Sequence, residues 1–136
     1  MPKDKAKSDL IFVYGTLLRD TENPMSQYLE SKSDYIGMGY MPGTLYKVTF
    51  YPGATFDPNS KSKVWGEVSR LHDPEQVFQV LDTYEDFNPK KPNKSLFIRD
   101  IVPVNINGEI FYCSSYIYNH TTDGLEVLDS GYFLKG

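Results

Sequence analysis

The sequence predicts an α+β fold built on a small, strongly curved or closed sheet. Three observations carry that expectation. Several apolar runs have the length and composition of strands, and two short segments carry helix signals. Glycines at 37, 39 and 43 interrupt one strand-like run, as bends and bulges do in a tightly curved sheet.

The elements follow in chain order. Residues 1–8, with three lysines, read as a solvated, flexible tail ahead of one domain over residues 9–136. Leu10-Ile11-Phe12-Val13-Tyr14 is an unbroken apolar run stopped by Gly15, which reads as a strand buried on both faces. A helix is expected from Met25 to Ser31, capped by Ser26 or Asn23. Tyr35 to Lys47 is the glycine-interrupted strand region, and Tyr51-Pro52-Gly53 reads as a turn. Asp57-Pro58-Asn59-Ser60 is a polar loop, and Val64 to Val68 another strand. Asp73 and Pro74 open the clearest helix. Asp73 caps it, and Pro74 stands where a missing N–H does no harm. It runs to about Glu85. Asn88 to Lys94 is a loop with two prolines and three lysines. Asn107-Gly108 joins Leu96–Ile106 to Glu109–Tyr118, a strong hairpin signal because a type I′ turn needs positive φ at both central positions.

Composition sets outer bounds. A chain of 136 residues with 40% hydrophobic and 24% charged residues suits one domain with one core. Eleven tyrosines and eight phenylalanines favour strands. No apolar run approaches the ~20 residues that span a bilayer, so no membrane partner is expected. A net charge of -4 gives no general reason to expect nucleic acid. The single cysteine, Cys113, excludes an internal disulfide framework and fits a reducing, cytoplasmic setting.

One residue breaks the helix pattern. Drawn as a wheel, the second helix puts Val77, Phe78, Val80, Leu81 and Tyr84 on one arc. Glu75, Gln76, Gln79, Asp82, Thr83 and Asp86 fall on the other. Glu85 lies four residues after Leu81 and seven after Phe78, so it shares the apolar face. A buried carboxylate needs a reason. Partial burial raises its pKa toward neutral, which suits a general acid or base. The plain alternatives are a frayed helix end that turns Glu85 to solvent, or an ion pair with Arg99.

The second candidate is Tyr14-Gly15-Thr16-Leu17. Gly15 lets the chain turn sharply and a ligand approach the backbone. Successive N–H groups leaving a strand can hold a carboxylate. No second glycine follows at a phosphate-loop spacing, and an ordinary strand exit would look the same. Cys113 reads as a small core residue. His72 and His120 have no metal-ligand spacing. Tyr112, Ser114, Tyr116 and Tyr118 alternate onto one strand face, with Tyr116 as the candidate to line a pocket. Arg99 is expected to pair with a carboxylate of the protein or of a substrate. The lysines between 90 and 94 read as a solvated loop.

In order, the chain carries Phe12-Val13-Tyr14-Gly15-Thr16-Leu17, Pro42-Gly43-Thr44-Leu45-Tyr46, Tyr51-Pro52-Gly53, Val64-Trp65-Gly66-Glu67-Val68, Leu81-Asp82-Thr83-Tyr84-Glu85 and Phe97-Ile98-Arg99. This ordered set resembles the gamma-glutamylcyclotransferase-like family, which includes the AIG2-like and gamma-glutamylamine cyclotransferase proteins. The resemblance runs from Leu10 to about Tyr118. It implies a small closed mixed β-barrel with short flanking helices. It also implies a substrate loop at Tyr14, Gly15, Thr16 and Leu17 and a catalytic glutamate at Glu85. The family often has Tyr-x-Arg in the strand after that glutamate. Here Phe97 replaces the tyrosine, so its hydroxyl is lost or moved. The implied reaction is closure of a γ-glutamyl amine or peptide to 5-oxoproline, an acyl transfer that releases an amine. It requires no metal or cofactor. Arg99 and Tyr116 join the loop as candidate substrate contacts, and the Asn88–Lys94 loop is expected to shape substrate choice. Two other classes remain open. A non-catalytic module could bind a small acid or amino acid on the same fold. A plain interaction domain would have no pocket beside Glu85.

Overall fold

The computed structural model describes residues 8–135; residues 1–7 of the expected tail lie outside them. Ser8, assigned to the tail from sequence, donates from its hydroxyl to the Tyr112 carbonyl at 2.8 Å. The first strand, β1 (Leu10–Val13), is buried at every position. Its unbroken apolar run reflects two partners. Leu10 and Phe12 face the barrel interior with Met41, Val64, Val68 and Val104. Ile11 and Val13 face the helices with Leu29, Val77 and Leu81.

The remaining elements are α1 (Pro24–Ser31), β2 (Ser33–Lys47), β3 (Pro52–Phe56), β4 (Lys63–Leu71), α2 (Pro74–Tyr84), β5 (Phe97–Ile106), β6 (Glu109–Tyr118) and β7 (Glu126–Val127). The ring runs β2-β4-β1-β6-β5 and returns to β2. It is a closed mixed barrel, because β1 lies parallel to β6 while the other pairings are antiparallel. β3 and β7 extend the outer half of β2.

The glycine-interrupted run does bend the sheet. Register slips between Tyr35 and Gly37 against β4. The barrel closes where Tyr40 pairs with Asn105. A Cβ on the neighbouring Gly39 would stand 2.5 Å from the Asn105 carbonyl oxygen, so only glycine allows the two strands to meet there. The β5–β6 hairpin turns through Asn107 and Gly108, with φ of 52° and 91°, as the Asn-Gly step predicts.

Both helices start as their local chemistry dictates. Asn23, rather than Ser26, caps α1 by accepting from the Met25 N–H at 2.8 Å. Asp73 caps α2 through the Gln76 N–H. One expectation fails: Pro52-Gly53 is not a turn but the start of β3, paired with Lys47 and Tyr46. The reversal sits just before it, where the Val48 and Thr49 N–H groups both donate to the Tyr51 carbonyl. Proline tolerates the first position of a strand, where its missing donor is least needed. No helix among the described residues is long and apolar enough to cross a membrane.

Candidate active site

A cavity of about 350 Å³ opens where β1 ends, beside the last turn of α2. Its wall includes Tyr14, Gly15, Thr16, Leu17, Glu85 and Tyr116. The loop and the carboxylate singled out from sequence therefore share one space. A pure interaction domain, which needs no pocket beside Glu85, does not fit this arrangement.

The loop is held rigidly. A Cβ on Gly15 would lie 2.8 Å from Cγ of Pro52, so glycine lets β3 close down on the loop. The Gly15 carbonyl accepts from Leu18, and the Thr21 hydroxyl donates to the Thr16 and Leu18 carbonyls. Among the described residues no protein acceptor takes the N–H groups of Gly15, Thr16 and Leu17. Three successive donors without protein partners, on residues that line a cavity, are suited to an anionic oxygen.

Tyr14 contributes differently. Its ring is buried, its hydroxyl donates to the Tyr116 carbonyl at 2.6 Å, and it accepts from the Ala54 N–H at 3.1 Å. This phenol knots β1, β3 and β6 together at the cavity floor. Burial, followed by the charge of Glu85, holds its pKa well above the ordinary phenol range.

Glu85 is the C-cap of α2 and is half-buried. The helix does not fray: the Glu85 N–H still bonds to the Leu81 carbonyl at 2.8 Å. Its carboxylate has no ion pair or hydrogen bond among the described residues. Burial with nothing to offset it raises its pKa to about 7. The expected alternative partner, Arg99, is taken elsewhere.

That partner is Asp82, the clearest miss of the helical wheel. Placed on the polar arc, it is buried at 8% exposure. The β5–β6 hairpin covers that side of the helix. The Tyr116 hydroxyl donates to Asp82 Oδ1 at 2.7 Å, and Arg99 donates to the same oxygen at 3.2 Å. The Arg99 guanidinium also lies over the Phe78 ring at 4.3 Å. Arg99 does not line the cavity, which corrects its expected place among the substrate contacts. Tyr116 does line it, with its hydroxyl directed to Asp82.

Tyr84 and Asn23 are polar cavity residues that escaped the sequence reading. Tyr84 accepts from the Asn23 side chain at 2.8 Å and shares a 2.7 Å hydrogen bond with the Thr16 hydroxyl. It ties the loop to the helix one residue before Glu85. Its place beside Glu85 in Leu81-Asp82-Thr83-Tyr84-Glu85 was the available signal; the capping role of Asn23 hid its side-chain amide. The Asn88–Lys94 loop does not reach the cavity; only Leu96 and Phe97 beyond it do. Of the other sequence candidates, Cys113 is buried in the barrel core. His72 is exposed beside Asp34 at 3.1 Å, and the exposed His120 packs its ring on Tyr118.

The family profile described as "Gamma-glutamyl cyclotransferase, AIG2-like" matches residues 11–135. The chain belongs to that family. No curated protein has a significant sequence match to it. Solved structures of this AIG2-like shape agree on the fold. An AIG2-like protein from Mus musculus is 23% identical with a TM-score of 0.70, covering 89% of this chain and 86% of its own. YkqA from Bacillus subtilis is 24% identical with a TM-score of 0.70, over 95% of this chain. The chain spans only 40% of the length of YkqA. The ytfP protein from Escherichia coli is 25% identical with a TM-score of 0.63, covering 92% and 96% of the two chains. Within this AIG2-like barrel, Phe97 stands where the motif often carries tyrosine. Its ring packs between Tyr51 and Tyr118, at 6.1 and 5.7 Å, and presents no hydroxyl to the cavity.

Proposed function

We propose that this protein is a γ-glutamyl cyclotransferase, closing a γ-glutamyl amide to 5-oxoproline with release of an amine. The observation that carries the reading is the Glu85 carboxyl: unpaired, raised to about 7, and on the same cavity wall as the partnerless N–H groups of Gly15, Thr16 and Leu17.

In this reading the loop N–H groups hold the α-carboxylate or the oxyanion that develops on the γ-carbonyl. The substrate folds so that its α-nitrogen meets the γ-carbonyl carbon. Such orientation is worth up to ~7–11 kcal/mol of barrier. Glu85 takes a proton from the α-ammonium, and the freed amine attacks. A carbon–nitrogen bond forms to the α-nitrogen, and the carbon–nitrogen bond to the leaving amine breaks. Overall the α-nitrogen gives up two protons and the released amine leaves as an ammonium, so the protons balance. Glu85, with a pKa near neutral, can accept and return them. The substrate supplies its own nucleophile, so no serine or cysteine of the protein is required.

The test is release of 5-oxoproline from a panel of γ-glutamyl amides and peptides by wild-type protein and by Glu85→Gln. Turnover by wild type and a loss of about 10²–10⁴-fold in the variant are expected. A panel with no product, paired with tight binding of an unchanged ligand, would make the protein a binding module instead.

A further inference from the structure

A third buried carboxylate has no part in the chemistry described so far. Glu67, on β4, is only 7% exposed. Its ion-pair partner is Arg19, an exposed residue whose Nε lies 3.4 Å from Glu67 Oε1. The same oxygen accepts from the Arg19 backbone N–H at 3.1 Å. Arg19 is the second residue after Leu17, so this bond is made where the loop ends. Glu67 also stands where the loop begins. In the β1–β4 ladder it lies opposite Val13, the last residue of β1. The two backbones are pressed together there, because a Cβ on the neighbouring Gly66 would run into the Val13 carbonyl oxygen. Residues 14–18 are thus bracketed by the backbone and the side chain of one residue. A smaller cavity of about 20 Å³ is lined by Val13, Leu17, Arg19 and Glu67 among others. Val13 and Leu17 also line the large cavity, so a shift at Glu67 reaches it through residues that border both.

We infer that Glu67 is a positioning residue: its hold on the Arg19 N–H fixes the direction in which the Gly15, Thr16 and Leu17 N–H groups point. This deepens the cyclotransferase reading, and its effect on rate rests on that reading. A carboxylate so buried, with one exposed cation beside it, gives the fold little that a glutamine would not. What its charge adds is a bond to a backbone N–H roughly twice as strong as a neutral one. That bond completes the fixing of one peptide plane. The Leu18 carbonyl accepts from the Thr21 hydroxyl at 2.8 Å, while the N–H of the same planar unit, that of Arg19, donates to Glu67. The N–H groups of Gly15, Thr16 and Leu17 have no protein acceptor of their own among the described residues. Their directions therefore depend on how the ends of the loop are held. Donors aimed before the substrate arrives need no rearrangement during the reaction, and that is where their electrostatic effect comes from. Glu67 does not line the large cavity, so it acts through the loop and not by touching substrate.

The test pairs Glu67→Ala, which removes the acceptor, with Glu67→Gln, which keeps an acceptor and loses the charge. On the best substrate of the γ-glutamyl panel, Glu67→Ala should lower kcat/KM per folded molecule by about 10- to 100-fold. Glu67→Gln should recover most of it, to about two- to fivefold below wild type. A merely structural role would lower the unfolding midpoint and leave the rate of the folded molecules unchanged. Amide NMR of the free protein reads the positioning without turnover. In Glu67→Ala the Arg19 amide should exchange with solvent about tenfold faster or more. The Gly15, Thr16 and Leu17 amide signals should move with it, while those of Asn107 and Gly108 stay. A wild-type rate in Glu67→Ala, equal losses in the two variants, or unmoved loop amides overturn the positioning role. If the alanine variant does not fold, Glu67→Gln carries the test, with its smaller loss and smaller shifts of the same amides; unmoved amides there reject the role. If no γ-glutamyl compound cyclises, the cyclotransferase reading fails by itself, and the amide signals alone decide for or against Glu67.

Discussion

Asp82 and Glu85 stand three residues apart at the end of α2, and burial pushes both carboxyls upward. Their surroundings then separate them. Asp82 meets the Tyr116 hydroxyl and Arg99, and both pull its pKa back down. Glu85 meets a cavity and nothing offsets its burial, so it rises to about 7. The difference teaches that burial alone does not make a carboxylate reactive. A paired one fastens the helix to the barrel wall, whereas an unpaired one beside open space is free to exchange a proton with whatever enters.

The sharpest way to break this comparison is to exchange function for stability at each position. Glu85→Gln should lower kcat/KM for 5-oxoproline formation by about 10²–10⁴-fold, or ~3–5 kcal/mol of transition-state stabilisation, with an intact fold by circular dichroism. Asp82→Ala should act the other way round. It strands Arg99 and the Tyr116 hydroxyl, and urea unfolding should register a loss of about 3 kcal/mol. A loss below about 1 kcal/mol would make Asp82 as loosely held as Glu85.

The third prediction concerns pH. The Glu85 carboxyl binds its proton more tightly in the folded chain, at about 7, than an ordinary glutamate at 4.5. Its contribution to stability is therefore fully present below pH 4.5 and is lost as pH rises to 7. Glu85→Gln mimics the protonated form. It should be more stable than wild type at pH 8, on the order of 2–3 kcal/mol, with the gap closing by pH 4. Equal gaps at both pH values would mean that Glu85 titrates normally. The smallest effect is expected from Tyr84→Phe. Losing the hydroxyl contacts to Thr16 and Asn23 should lower stability by about 1–2 kcal/mol and raise KM as the loop loosens. An unchanged KM would detach Tyr84 from the site.

Features written in short stretches of chain were legible. The Asn107-Gly108 hairpin, the Asp73 and Asn23 caps and the doubly buried β1 all follow from local chemistry. Glu85 was legible because its spacing from Leu81 and Phe78 fixes its side of the helix. Asp82 was not, because its burial depends on Tyr116 and Arg99, which arrive from a hairpin distant in sequence. Tyr51-Pro52-Gly53 misled for the same reason: its local signal is a turn, and pairing with β2 overrides it. Gly39 advertised a bend but not its partner, Asn105. The cavity is likewise a long-range product. The loop at Gly15 and the helix end at Glu85 were joined from sequence only through the family's ordered motifs. The geometry brings them to one wall independently.

The most direct test of the central claim is the pH dependence of kcat/KM for 5-oxoproline release, measured for wild type and Glu85→Gln between pH 5 and 9. A base that must lose its proton gives a rate rising with pH, with an inflection near 7 in wild type. The residual rate of the glutamine variant should lack that inflection. An inflection near 4.5, or one that persists unchanged in Glu85→Gln, would contradict a catalytic role for this carboxylate.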